Sequence, residues 1–494
     1  MTALFKRLMS SVAAYQVADV ISKLTAVLLL PVYTRYIHPA GYGVVELLAN
    51  GVILISIVVR FGMIEAFLRF YFTDADPERR DALVRRTAGF LLVATSVVAI
   101  VLAAFSAPLS TLVLSHRDTA TFLIAVLGMW SFTNLELAYG LLRVDERLRT
   151  YAIASVSNVV LTIAGSVVLV VGFGDGPRGL LGANYGVSTI ILLALWWTMR
   201  QRLAPRRAGA QRLRILLRFG LPTVPAEASV YALSIVDRYY LYHGRGQAMA
   251  GLYSIAVKLA GSVAFIVRAF QYAWPPLAYS ITSDAQAARF YGLVTTYYVL
   301  VSGWVVAGLT LLSRWVLRVL AAPAYAGAHR ALPWLALGWA LYGLWVIFLV
   351  VAGRAQVTMR TFPAAIAGLA VNVGLLVALV GPLGLAGAGI ALCGAYAVML
   401  GVMFTLTRNA FRVDFEWGRL VRLVLVLGVL AVLGDLLLPG QGAAGLISRI
   451  AVVLAIGPVL AATGFVQAAE LVQVRGLLDR ARRGRGARGA PGER

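Results

Sequence analysis

The sequence predicts an all-α, polytopic membrane protein with about fourteen transmembrane helices. Three observations lead there. Of 494 residues, 60% are hydrophobic and 13% charged, where soluble domains hold roughly 45–50% and about 25%. The apolar runs continue for around twenty residues, the length an α-helix needs to cross ~30 Å of hydrocarbon, whereas barrel strands alternate over about ten. Only helix bundles and closed barrels satisfy every backbone group in lipid, so continuous runs select helices.

In chain order the spans fall at 11–33, 42–66, 87–108, 118–141, 151–172, 179–199, 215–241, 249–274, 290–312, 331–352, 362–380, 384–406, 420–438 and 445–469. Turn-forming stretches such as HPAG (38–41), GDGP (174–177) and GPLG (381–384) separate them. The opening MTALFKRLMSSVAAYQ runs into the first span without a cleavage signature and reads as retained. Loop arginines set the orientation. Arg69, Arg79, Arg80, Arg85 and Arg86 follow the second span, and seven arginines between 200 and 218 follow the sixth. Arg408, Arg412, Arg419 and Arg422 follow the twelfth, while PGQGAAG after the thirteenth has no charge. This alternation places both termini in the cytoplasm.

The net charge of +23 is thereby accounted for by topology, and no nucleic-acid partner is expected. Cys393 is the single cysteine, and His38, His116, His243 and His329 fall in loops or near helix ends without ligand spacing, so neither a metal nor a cofactor is expected. The short connections leave no room for an extramembrane catalytic domain, which argues against a membrane glycosyltransferase or polymerase. The basic tail, 473–494, reads as disordered. It has two readings, contact with anionic membrane lipids and a solvated terminus that helps hold orientation.

Charges inside the spans are few and uneven. The first span carries Asp19 and Lys23, and the second Glu46, Asn50, Arg60 and Glu65. The seventh carries Glu227, Asp237 and Arg238, and the eighth Lys258 and Arg268. A charge at the bilayer midplane costs ~2.5–3.5 kcal/mol, so such residues face a bundle interior or a wet cavity. Their gathering in the first, second, seventh and eighth spans predicts a polar cavity lined by those four. An internal echo supports the same pairing. AGYGVVELLANGV (40–52) aligns with AGLYSIAVKLAGSV (250–263), Tyr42 against Tyr253, and TRY (34–36) stands near the level of DRY (237–239). Six spans separate the copies, so the repeat is parallel.

Four stretches carry a family resemblance: LLLPVYTRYIHPAGYGVVELL (28–48), RFGLPTVPAEASVYALSIVDRYYL (218–241), GLYSIAVKLAGSV (251–263) and FQYAWPPLAYS (270–280). On these the sequence resembles the bacterial Wzx-like polysaccharide flippases, within the multidrug/oligosaccharidyl-lipid/polysaccharide exporter (MOP) superfamily. The resemblance implies a MATE/MOP-like fold of two six-helix lobes plus two further helices. The expected divisions are 1–208, 209–410 and 411–472, then the tail. It also implies a cargo, undecaprenyl-pyrophosphate-linked oligosaccharide for O-antigen, capsule or exopolysaccharide, turned across the bacterial cytoplasmic membrane. Polysaccharide polymerase and chain-length machinery are the implied protein partners.

An anionic pyrophosphate gives the interior cations a purpose, because lysine and arginine supply charge and hydrogen bonds to phosphate. Lys23, Arg60, Lys258 and Arg268 are the candidate headgroup residues, with Arg35 and Arg238 at the rim. Asp19, Glu46, Glu227 and Asp237 are candidate cavity acids for ion pairing or coupling. Pro31, Pro222 and Pro225 are candidate hinges, since proline removes a backbone donor and bends a helix. Structural alternatives stand beside each role. Asp19 and Lys23 form a pair four apart, Arg268 snorkels to an edge, Asp237 and Arg238 mark an interfacial helix end, and the prolines fix an entry angle. Two other functions remain open, a cation-coupled multidrug exporter of the same superfamily using the acids, and a membrane scaffold.

Overall fold

The computed structural model describes residues 29–73, 76–203 and 211–465. Their α-helices are α1 (Leu30–Tyr36), α2 (Pro39–Val59), α3 (Met63–Thr73), α4 (Pro77–Ala104), α5 (Ser106–Leu114) and α6 (Thr119–Val144). Next come α7 (Leu148–Ser166, continued by a π turn, Val167–Gly172), α8 (Gly176–Leu203), α9 (Gln211–Gly220), α10 (Thr223–Arg245), α11 (Gln247–Ser280) and α12 (Asp284–Leu320). The chain closes with α13 (Leu332–Arg354), α14 (Thr361–Leu383), α15 (Leu385–Thr407), α16 (Trp417–Leu437) and α17 (Gly442–Ala462). Among the described residues twelve helical segments are long and apolar enough to cross a membrane. The 23-residue α10 has the length but carries Glu227, Asp237 and Arg238. Most of the first expected span, with Asp19 and Lys23, lies outside the described residues, as does the tail.

Local chemistry sets several boundaries that hydropathy misplaced. The helix expected over 42–66 breaks after α2, because Phe61 and Gly62 take left-handed φ values of 49° and 66°. Arg60 therefore caps α2 and does not lie inside a helix. α4 begins at Pro77 and not at 87, since Asp76 caps it by accepting from the Glu78 amide at 3.0 Å. Its first turns, PERRDALVRR, are charged and extend past the apolar layer. The single helix expected over 215–241 is two: α9 ends at Gly220, Pro222 is the N-cap of α10, and Pro225 sits in its first turn. α11, expected to stop at Pro275–Pro276, continues through them to Ser280. The Tyr291 hydroxyl donates to the Ala278 carbonyl at 2.9 Å and holds that last stretch. Trp274, at the end of the expected span, is core, packed on Phe270 and Tyr291.

Two bundles result. α2, α4, α6, α7 and α8 pack together, and α10 to α15 form the second group, with α16 and α17 resting on α12. The bundles meet where α2 runs along α10 and α11. Glycine permits that contact. A Cβ at Gly43 would lie 2.1 Å from the Gln247 carbonyl oxygen, and one at Gly251 would lie 1.9 Å from that of Pro39.

Buried arginines lock helix ends. In the first bundle Arg202 donates to Asp81 at 2.7 Å, to the Tyr71 hydroxyl at 3.1 Å, and to Asp145. Arg354 does the same for the second, reaching Asp284 at 2.6 Å and the Ile281 carbonyl at 2.8 Å. Arg449, fully buried, ties α17 to α16 and α12. Its three nitrogens reach the carbonyls of Pro439, Leu311, Asp435 and Leu438 and the Asp435 carboxylate, at 2.7–3.2 Å. Five N–H groups meet five acceptors. Arg449→Met leaves those carbonyls dry and the Asp435 charge without its cation. A loss of about 3–5 kcal/mol is expected, read as a lower thermal unfolding temperature in detergent.

Candidate functional site

One polar stripe on α2 faces the second bundle. Tyr42, Glu46 and Asn50 are four apart on α2 and so share a face. That face looks across the interface. The Lys258 ammonium of α11 lies 2.6 Å from the Glu46 carboxylate and 2.6 Å from the Tyr42 hydroxyl. One turn along, the Asn50 amide oxygen accepts from the Tyr231 hydroxyl at 3.1 Å and from Arg238 at 3.4 Å, both on α10. The Asn50 amide nitrogen returns a bond to the Glu46 carbonyl at 2.6 Å. This cluster gathers two cations and one carboxylate. Glu46 is buried, while Lys258 keeps partial access to solvent.

A second cluster lies where the arginine-rich connections gather, the basic end of the interface. Arg60, 5% exposed, is placed there by the break after α2. It donates to Glu136 of α6 at 2.9 Å, approaches Glu65 of α3 at 3.6 Å, and bonds Glu227 of α10. One guanidinium thus spans both bundles and faces three carboxylates. Beside it the backbones of Gly62 and Gly220 touch: a Cβ on Gly62 would sit 2.0 Å from the Gly220 carbonyl oxygen. The opposite end is held by other means. The Tyr325 hydroxyl donates to the Ile37 carbonyl at 2.8 Å, and the Ala322 amide donates to the Thr34 hydroxyl at 2.9 Å. Tyr325 sits in the short turn Pro323–Arg330 between α12 and α13.

Several of the candidate residues occupy unexpected places. Arg60, expected as a free headgroup residue, is engaged by the three carboxylates. Arg238, expected at the rim, is 8% exposed and faces Asn50 of α2. Asp237 turns the other way, into the second bundle. There it accepts from the Tyr253 hydroxyl at 2.6 Å, with the buried Asn372 side chain beside it. Arg35 is exposed at the end of α1, and Pro31 stands in that helix's first turn. Arg268 lies partly buried further along α11. Sequence reasoning missed Tyr42, Glu136 and Tyr231. Tyr42 was detectable, since it completes the four-residue stripe with Glu46 and Asn50.

Glu46→Gln and Lys258→Met each strand one charge at the interface. Each is expected to lower stability by on the order of 2 kcal/mol, less than the 3–5 of a fully buried pair because Lys258 is partly solvated. The double variant is expected to lose less than the sum, and thermal unfolding of the four proteins measures that coupling.

Comparison with known proteins follows from this geometry. The family model described as polysaccharide biosynthesis protein matches residues 8–282, more than half of the 494. No curated protein matches significantly. The fold is similar to the lipid II flippase MurJ in an inward closed conformation, with a TM-score of 0.71 at 12% identity over 93% of this chain and 100% of that one. It is also similar to an inward-facing multidrug resistance MATE family transporter of the MOP superfamily, with a TM-score of 0.64 at 16% identity over 81% and 97%. The Vibrio cholerae MATE transporter VcmN in its bent form gives 0.53 at 14% over 83% and 98%. At such identities these structures speak for the fold, an all-α arrangement shared by MATE and other MOP transporters. With the sequence match through α11 and this fold around it, the chain belongs to the polysaccharide biosynthesis protein family.

Proposed function

We infer that the protein carries lipid-linked oligosaccharide across the cytoplasmic membrane for glycan export, with the pyrophosphate headgroup received between the bundles. The observation that carries this reading is the Glu46–Lys258–Tyr42 contact, a cation held at the bundle interface by a single exchangeable carboxylate. Lys258 and Arg238 are the two cations of the cluster. A pyrophosphate entering there replaces Glu46 at Lys258, so the lysine is never left bare in a low-dielectric site. Asn50, Tyr42 and Tyr231 offer hydroxyl and amide groups to the adjoining sugar.

The basic end is taken as cytoplasmic by the charge bias of the loops. Access from that side then requires parting Arg60 from Glu227 and Gly62 from Gly220. Access from the other side requires parting Gly43 from Gly251 and Tyr325 from Ile37. Pro222 and Pro225, at the junction of α9 and α10 beside Gly220, are the proposed hinge there, and Pro31 serves α1. Arg60 acts in this scheme as an inter-bundle latch, and Arg268 as a cation further along the path. Glu46, which a cation-coupled drug exporter would need free, is engaged by Lys258, which weighs against that alternative.

The test is complementation of a deletion strain at matched protein levels. Lys258→Met is expected to reduce export by about tenfold or more, the worth of a lost charge-assisted hydrogen bond, with lipid-linked oligosaccharide accumulating on the cytoplasmic leaflet. Lys258→Arg is expected to retain most of it. Normal export by Lys258→Met, or resistance to cationic drugs without any glycan defect, contradicts the reading.

A further inference from the structure

Two adjoining cavities lie away from the bundle interface. One, of about 720 Å³, is a groove with α12, α13 and α15 on one side and α16 on the other. The second, of about 580 Å³, opens at the basic end around Arg408 and Arg412. They share Phe348, Phe404, Phe415 and Trp417 as common walls, so together they form one channel with an apolar body and a charged mouth.

The groove follows from how α16 is seated. It packs along α12 and leaves α13 and α15 across a gap. Hydroxyls in the wall are already used within their own helix. Thr295, Ser302 and Thr310 each donate to the carbonyl four residues back, at 2.7, 2.7 and 2.8 Å. Gly401 and Gly428 widen the gap, since a Cβ on either meets nothing within 4 Å. Such a wall suits hydrocarbon. The mouth differs: Arg408 and Arg412 are exposed there, against one lining carboxylate, Asp414.

We propose that this channel binds one anionic glycerophospholipid of the surrounding leaflet, with an acyl chain along the groove and the phosphate at Arg408 and Arg412. Charge complementarity selects the occupant. The mouth sits at helix ends, where headgroups lie, and an arginine near the surface favours an anionic headgroup severalfold. The apolar gap opens between membrane-spanning helices, where lipid chains are the available filler. The bound lipid supplies the wall missing between α16 and the second bundle, and so fastens the accessory pair α16–α17. The site is separate from the interface cluster on α2, α10 and α11.

The test is lipid retention by the full-length purified protein, offered equal amounts of phosphatidylglycerol and phosphatidylcholine with identical chains and read by native mass spectrometry. Retention of phosphatidylglycerol about tenfold above phosphatidylcholine is expected, given two arginines opposed by one carboxylate. Arg408→Gln with Arg412→Gln is expected to abolish the preference, and Arg408→Lys with Arg412→Lys to keep part of it. Gly401→Phe fills the groove and is expected to lower retention of both lipids. Equal retention by the unmodified protein overturns the proposal, as does a preference that survives the glutamine pair. Recovery of a polyprenyl phosphate from the site in place of a glycerophospholipid overturns it too.

Discussion

A charge in hydrocarbon must find a partner, and here the partners come from across the bundle interface. Lys258 has no acid within a turn of its own helix; it meets Glu46 of α2. Arg60 likewise reaches Glu227 of α10 as well as Glu136 of α6. For Lys258 the ionic cost of burial is thus met only while the bundles touch, and Arg60 gives up Glu227 when they part, which couples electrostatics to the relative placement of the two halves. In a helix bundle without a hydrophobic drive between helices, such contacts and the close approach of small residues decide which helices pair. Gly43 and Gly251 supply that approach at one end, and Gly62 and Gly220 at the other.

The two inter-bundle clusters differ in composition, and the difference suits different tasks. Around Arg60 there are three carboxylates for one cation, a setting that repels further anions. Around Glu46 there are two cations for one carboxylate, a setting that receives them. Under the proposed function, an anionic headgroup would be directed to the Lys258 level and away from the Arg60 level. The proposed cargo is such an anion, and it gives the cations at this interface a purpose in a chain so rich in apolar sequence.

Much of the fold was legible because hydropathy and length constrain membrane helices tightly. The gathering of intramembrane charges in a few spans was also readable, and Glu46 and Lys258 among them meet at the bundle interface. Cross-helix partners were not legible. Nothing in α11 names Glu46 as the mate of Lys258, and Glu136, in SFTNLELAYG, carries no local mark of its contact with Arg60. Boundaries failed where tertiary contacts or caps overrode local rules. Pro275 and Pro276 read as a stop, yet Trp274 packing and the Tyr291 bond to Ala278 keep α11 running. Phe61 gave no warning of a left-handed residue, so the placement of Arg60 at a helix end was hidden. Arg238 looked like a rim residue because it stands near the end of the expected seventh span, yet it is buried and faces Asn50 of α2.

The central claim is that pyrophosphate and Glu46 compete for Lys258. Binding of undecaprenyl pyrophosphate to the protein in nanodiscs, compared between the parent, Glu46→Gln and Lys258→Met, tests it through the sign of each change. Removal of the internal competitor is predicted to strengthen binding, and removal of the lysine to weaken it. Weaker binding in both variants, or no change in either, would contradict the exchange.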